Sequence, residues 1–190
     1  MSRPTWDEIF MEIADVVGKR GTCDRGKSGA VITRNNRLLT TGYVGSPPGF
    51  PHCDEVGHLI HTVTYPDGTV SDHCMRTLHA EENAILQAAI DGISLVGATL
   101  YCKMVPCSHR CAMKIIRIGI TRVVAKHRYQ RDEQTINNFK KAGIKLDIIN
   151  DDYCYTPNIE IKVTSLLTDP IKIPTTGLLD ATATLILKES

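Results

Sequence analysis

Residues 98–125, ATLYCKMVPCSHRCAMKIIRIGITRVVA, read as strand, helix, strand. Ala98-Thr99-Leu100-Tyr101-Cys102 and Arg122-Val123-Val124-Ala125 are short runs rich in the β-branched and aromatic residues that fit a pleated, buried surface. Between them, Cys111 to Ile118 carries apolar residues at helical spacing, and Gly119 supplies the stop. A strand joined to a second strand through a helix is the unit of a parallel sheet.

Working outward, the pattern repeats on both sides. Downstream, residues 132–142 read as a helix ended by Gly143, and Lys145 to Ile149 as a strand. Upstream, Ala80, Ala84, Ile85, Ala88 and Ala89 form a helical stripe that stops at Gly92, while Ile9, Ile13, Val16 and Val17 place another helix over residues 5–19. Ala30-Val31-Ile32-Thr33 and Leu38-Leu39-Thr40-Thr41 flank the polar turn Arg34-Asn35-Asn36-Arg37, which predicts a β-hairpin. The expected fold is therefore α/β, with a partly parallel sheet and helices layered on it. Residues 45–72 read as one long loop, which in a compact domain is functional or tied down. Trp6 reads as a core anchor. Residues 1–150 are expected to form the domain. Residues 151–190 are a C-terminal extension whose candidate strands, 159–166 and 182–187, would add a β-hairpin.

Composition narrows the partners. The 190 residues hold 22 basic and 21 acidic side chains, a net charge of +1, so the basic surplus of a protein that grips long nucleic acid is missing. Only 5% are aromatic, too few for the stacking platforms of single-strand binders. No run approaches the ~18 apolar residues of a membrane span, and charges interrupt MSRPTWDEIFMEIADVV where a secretory leader would be apolar. Seven cysteines, an odd number spread from Cys23 to Cys154, point to reduced thiols. These features predict a soluble, cytoplasmic protein acting on a small molecule.

The chemistry concentrates in three places: His79-Ala80-Glu81 opening one predicted helix, Pro106-Cys107 opening the next, and Cys111 one turn later. One imidazole and two thiolates suit a zinc ion that keeps a position open for water, the arrangement of catalytic rather than structural zinc. Thiolates in a first helical turn gain from the dipole, which lowers their pKa. Glu81, two residues beyond the histidine, is placed to act as base and then acid. The competing reading makes His79 a packed helix-start residue and the cysteines small buried hydrophobes.

His-x-Glu followed by Pro-Cys and a second Cys is the signature of zinc nucleobase deaminases. Over residues 3–150 the chain resembles the deoxycytidylate (dCMP) deaminase family of the cytidine deaminase superfamily. The stretches that carry the likeness are RPTWDEIFMEIADVVGKRGTC, GAVITRNNRLLTTGY, GSPPGFPHCDE, CMRTLHAEENAILQAA, GATLYC, PC, CAMKIIRIGITRVV and KKAGIKLDI. The resemblance implies a three-layer cytidine-deaminase-like fold with a five-stranded mixed sheet, and hydrolysis of dCMP to dUMP and ammonia in the supply of thymidylate. It implies Zn2+ held by His79, Cys107 and Cys111, a homo-oligomer that is often a hexamer, and regulation by dCTP and dTTP, with Mg2+ accompanying the regulatory nucleotide. It also suggests a second, structural zinc, for which Cys23, Cys53, Cys74 and the adjacent His73 are the candidates, with His52, His58 and His61 competing for the fourth position.

The chain departs from the family pattern twice. Three residues, not two, separate Cys107 from Cys111, which would push His109 and Arg110 outward beside the substrate. Val44 stands where the family carries an asparagine that bonds sugar and base, and valine has no hydrogen-bonding group. The substrate-binding candidates are Arg25, Lys27, Val44, Ala80 and Tyr129, with Lys103 as a further cation for a phosphate. Cys102 and Cys154 read as packing residues. The alternatives are a deaminase of 5-substituted dCMP, dCTP or guanine, or a catalytically silent nucleotide-sensing regulator.

Overall fold

The computed structural model describes residues 2–65, 68, 70–129 and 131–150. The candidate strands at 159–166 and 182–187, and Cys154, lie outside them. The elements run α1 (Trp6–Gly18), β1 (Gly29–Arg34), β2 (Arg37–Tyr43), α2 (Cys53–Val56), β3 (Ile60–Thr64), β4 (Val70–Cys74), α3 (Ala80–Ile90), β5 (Thr99–Met104), a π-helical turn (Ser108–Ala112), α4 (Met113–Arg117), β6 (Arg122–His127), α5 (Glu133–Ala142) and β7 (Lys145–Asn150).

The main sheet has the order β2-β1-β5-β6-β7. β1 is antiparallel to β2 and β5, whereas β5, β6 and β7 are parallel, so the sheet is mixed. Asn35 and Asn36 both adopt positive φ, 52° and 57°, between the paired Arg34 and Arg37, which makes the β1–β2 connection a two-residue hairpin turn.

Alternation along the strands sorts the core into two layers. Ala30, Ile32, Leu100, Cys102, Val123 and Ala125 pack with residues of α3, α4 and α5. The residues between them, Val31, Tyr101 and Val124, pack with Phe10, Met11 and Ala14 of α1. Thr5 caps α1: its hydroxyl accepts from the Glu8 N–H at 3.3 Å while the Glu8 carboxylate accepts from the Thr5 N–H at 2.6 Å. Trp6 is not the core anchor its size suggests. It is 48% exposed and stacks on Phe10 at 5.5 Å, because Phe10 and Met11 already fill that layer.

Close backbone approach sets the height of α3. A Cβ on Gly42 of β2 would come within 2.3 Å of both the Ala80 carbonyl oxygen and the Ala84 nitrogen, so only glycine lets this helix rest on the sheet. Asn83 fixes its rotation by donating to the Tyr43 carbonyl at 2.7 Å. Both contacts bear on the first turn of α3, where the chemistry lies.

The stretch read as a structureless loop, residues 45–72, contains α2 and the start of a second, two-stranded antiparallel sheet, β3–β4. Most of its side chains are exposed on both faces, so no apolar alternation announced it.

Candidate active site and a second thiol cluster

His79 is the N-cap of α3 and Glu81 sits in its first turn. Cys107 follows β5 across a short loop, and Cys111 lies in the π-helical turn. Two tertiary bonds hold that loop: the Val105 N–H donates to the His127 carbonyl at 3.0 Å, and the buried Thr135 hydroxyl of α5 donates to the Pro106 carbonyl at 2.8 Å. The result brings the His79 imidazole and both thiols to within 4.8 Å of one another, with His79 Nδ1 3.5 Å from Cys107 Sγ and 3.3 Å from Cys111 Sγ.

The electrostatics of this trio suit a cation. The neighbouring Cys111 thiol, and after it the His79 imidazole, pull Cys107 down to about 3 against its burial, while Cys111 is pushed up by Cys107 and by burial. Burial works against a charged His79, yet Cys107 and Glu81 leave it raised above its ordinary value. Burial raises the Glu81 carboxyl, the direction that suits a group asked to exchange protons near neutral pH. One imidazole, two sulfur ligands and a cavity on the open side fit a tetrahedral zinc with one position for water.

Glu82 was not singled out by the sequence, and it organises the trio. Almost wholly buried, it accepts from the His79 N–H at 3.1 Å, pairs with Lys114 of α4, and lies 3.2 Å from Arg110. One carboxylate thus ties the turn that carries the histidine to the turn that carries the cysteines. The signal was a Glu at the third helical position, half of a capping box, hidden because histidine is not a usual cap. Arg110 therefore turns to Glu82 rather than outward to a substrate.

The cavity above the trio has a volume of about 340 Å³ and is lined by His79, Glu81 and Cys107 together with Arg25, Val44 and Tyr129. Lys103 also lines it. Two expectations are corrected. Ala80 is buried in the core beneath α3, and Lys27 borders a smaller neighbouring cavity of about 150 Å³, which it shares with Lys103. The chain turns at Gly26 so that Arg25 faces one cavity and Lys27 the other; Lys103 Nζ reaches the Lys27 carbonyl at 3.2 Å.

A second cluster forms beside the first. Cys23, Cys53, Cys74 and His58 bring their ligand atoms within 4.8 Å, so His58, and not His73, is the imidazole that joins the three thiols. The reason is strand alternation: adjacent residues of β4 point to opposite sides, and Cys74 and His73 cannot both face the cluster. His58 turns Nδ1 to Cys23 Sγ at 3.7 Å and Nε2 to Asp24 Oδ1 at 2.9 Å, the carboxylate-oriented arrangement of a metal-binding histidine. Cys53 and Cys74 lie 3.5 Å apart. Burial and Cys74 push the Cys53 thiol up to about 12, whereas Cys74, despite its burial, is lowered to about 6 by the Arg76 N–H and by Cys53. All six described cysteines are free thiols, and Cys102 is buried in the core.

Comparison with known proteins converges on this geometry. The family model for the cytidine and deoxycytidylate deaminase zinc-binding region matches residues 4–127. The deoxycytidylate deaminase of Schizosaccharomyces pombe is 39% identical over 144 residues, which cover 76% of this chain and 44% of that protein. The deoxycytidylate deaminase of Mycobacterium phage D29 is 40% identical over 129 residues, 65% of this chain and 96% of the phage protein. The crystal structure of the dCMP deaminase of cyanophage S-TIM5 in complex with dCMP and dUMP superimposes with a TM-score of 0.62 at 27% identity, covering 78% of this chain and 99% of that one. The chain thus spans less than half of its yeast relative and nearly all of the phage proteins.

Proposed function

This chain belongs to the cytidine and deoxycytidylate deaminase family, and we propose that it hydrolyses the exocyclic amine of a free cytosine deoxynucleotide, dCMP, to give dUMP and ammonia. The observation that carries the proposal is the buried Glu81 on the wall of a nucleotide-sized cavity that His79 and Cys107 also line, with Cys111 gathered beside them into one cluster of ligand atoms. Two likenesses support the substrate: relatives that are deoxycytidylate deaminases, and a neighbour crystallised with dCMP and dUMP.

His79, Cys107 and Cys111 would hold the zinc, which when bound supplies a Lewis acid that makes hydroxide accessible near neutral pH. Glu81 takes the proton of the water that adds at C4 of the pyrimidine. It passes that proton to N3 of the ring and then carries the second proton of the added water, from the C4 hydroxyl, to the amine as the carbon–nitrogen bond breaks, so ammonia leaves neutral, C4 becomes a carbonyl and the carboxylate is regenerated. Burial raises its carboxyl above the ordinary range, the direction that favours its holding a proton between the two transfers. Arg25 and Lys103 offer the cavity its cations for a 5′-phosphate, and Tyr129 offers an aromatic wall.

The same reading assigns Cys23, Cys53, His58 and Cys74 a second, structural zinc, because four ligands close a coordination shell. It extends to a homo-oligomer, supported by Leu86 and Ile90, exposed one turn apart on α3. Control by dCTP and dTTP with Mg2+, and a cytoplasmic setting, rest on the family resemblance alone. No helix among the described residues is long and apolar enough to cross a membrane. The test is a panel of dCMP, 5-methyl-dCMP, dCTP, CMP and guanine followed by ultraviolet absorbance. Fastest turnover of dCMP is expected, and turnover of guanine or dCTP without dCMP would overturn the substrate assignment.

A further inference from the structure

Two features with no part in the proposed reaction meet at His73 on the cavity wall. The extra residue between Cys107 and Cys111 is absorbed as a π-helical turn, in which the Ala112 N–H reaches back five residues to the Cys107 carbonyl at 3.0 Å. Such one-residue widenings of a helix occur mostly at functional sites. Here the widening delivers His109. Its ring meets that of His73 edge to face, with centroids 5.5 Å apart and planes at 81°, a favourable geometry for paired rings.

His73 is the residue that the thiol cluster does not use. It lies on β4, lines the cavity with His79, Glu81 and Cys107, and is held by a second contact as well. The Tyr65 hydroxyl lies 3.4 Å from His73 Nε2, and the Arg131 guanidinium covers the Tyr65 ring at 3.8 Å. Arg25 fixes the strand itself, donating to the carbonyl of the preceding residue, Asp72, at 3.0 Å. An imidazole held this way costs a ligand little ordering entropy. With Nε2 engaged by Tyr65, Nδ1 is the ring nitrogen through which His73 could bond a ligand, as donor or acceptor according to tautomer. Val44, also on the wall, can offer no such bond.

We propose that His73 is a recognition residue for the pyrimidine nucleotide bound beside His79 and Glu81, and that His109, delivered by the widened cysteine turn, is the positioning residue that fixes its ring. The inference rests on reading the cavity as a cytosine-nucleotide site. Its specific content is that the inserted residue sets substrate affinity rather than zinc binding.

The experiment uses the zinc-loaded full-length protein: steady-state kinetics with dCMP, and calorimetric dCMP binding on a Glu81→Gln background, where turnover is suppressed. His73→Ala is expected to raise KM and Kd by roughly three- to tenfold, the worth of one hydrogen bond, with kcat within about twofold. His109→Ala shifts both in the same direction, and His109→Phe, which retains a ring edge, restores them. The double variant is no worse than His73→Ala alone, because His109 acts through His73. If His73→Ala loses zinc from the neighbouring cluster, His73→Phe, which keeps the ring pair and removes both nitrogens, is expected to give the same rise in KM. Unchanged KM and Kd, a loss confined to kcat, or additive effects in the double variant would each overturn the proposal. If the wild type deaminates no cytosine nucleotide, the deaminase reading falls, and dCMP binding to the Glu81→Gln series still decides for or against His73; no dCMP binding at all overturns both.

Discussion

At the scale of single residues, the site is a division of labour between adjacent glutamates. Glu81 faces the cavity and Glu82 faces the protein, and the helix geometry that separates them suits one to the proposed proton transfers and makes the other a strut. Removing the negative charge of Glu82 leaves Lys114 and Arg110 unpaired near the metal ligands and weakens the bond that orients the His79 backbone. Glu82→Gln is therefore expected to weaken zinc retention by about 10- to 100-fold, the usual cost of losing a group that orients a ligand. Competition with a chromophoric chelator measures it, and unaltered zinc affinity would remove Glu82 from this role. The histidine, the cysteines and Glu81 were legible in the sequence because zinc chemistry restricts which side chains serve. Glu82 was not, since its task depends on where α4 passes, which spacing in α3 does not reveal. Lys27 and Ala80 were misplaced for a related reason: neighbours in sequence face different surroundings, Lys27 a second cavity once the backbone turns and Ala80 the core beneath α3.

At the scale of elements, the β3–β4 hairpin shows what the sequence could not express. Its side chains are largely exposed, and it is held by contacts distant in sequence: Cys74 in the thiol cluster, Asp72 bonded by Arg25, and Tyr65 beneath Arg131. Local patterning predicts elements that bury an apolar face, and this one buries little. The sheet strands β5 and β6, buried on both faces, were legible for the opposite reason. Because the hairpin lacks a core of its own, the metal cluster is expected to be its main fastening. Cys53→Ser should lose about one zinc equivalent per chain by elemental analysis and lower the melting temperature, since structural metal sites contribute folding free energy directly. KM should rise more than kcat falls, because the hairpin forms a cavity wall. Full zinc content in that variant would make the thiols ordinary packing residues.

At the scale of the whole molecule, α1 is joined to β5, β6 and β7 by a charged knot. Arg122 donates to both oxygens of Asp7, at 2.8 and 2.7 Å, and through Nε to Asp147 at 2.8 Å, while the Tyr101 hydroxyl donates to Asp7 at 2.8 Å. The Arg122 hydrogen bonds are the largest influence holding the Asp7 carboxyl below its ordinary 3.8, against its partial burial. A depressed carboxylate contributes stability that is fully present above its unfolded-state pKa and lost as pH falls through the folded value. With Asp7 about 40% exposed, solvent screening limits the contribution to about 0.5–1 kcal/mol, or ~1–4 °C in melting temperature for a chain of this size. Asp7→Asn should show that deficit at neutral pH, and the gap from wild type should close as the pH is lowered below about 4. A deficit that persists unchanged in acid would assign the effect to packing. The α3 contacts at Gly42 and Asn83 set the height of the helix turn that carries Glu81 beside the His79–Cys107–Cys111 trio. The most direct test of that arrangement is to incubate dCMP in heavy-oxygen water with zinc-loaded wild type and with the Glu81→Gln variant at equal zinc content, and to weigh the product. The expected product is dUMP carrying the solvent oxygen at C4, formed at least ~10² times more slowly by the variant. Zinc-loaded wild type that forms no labelled dUMP, or a variant that forms it at the wild-type rate, would contradict it.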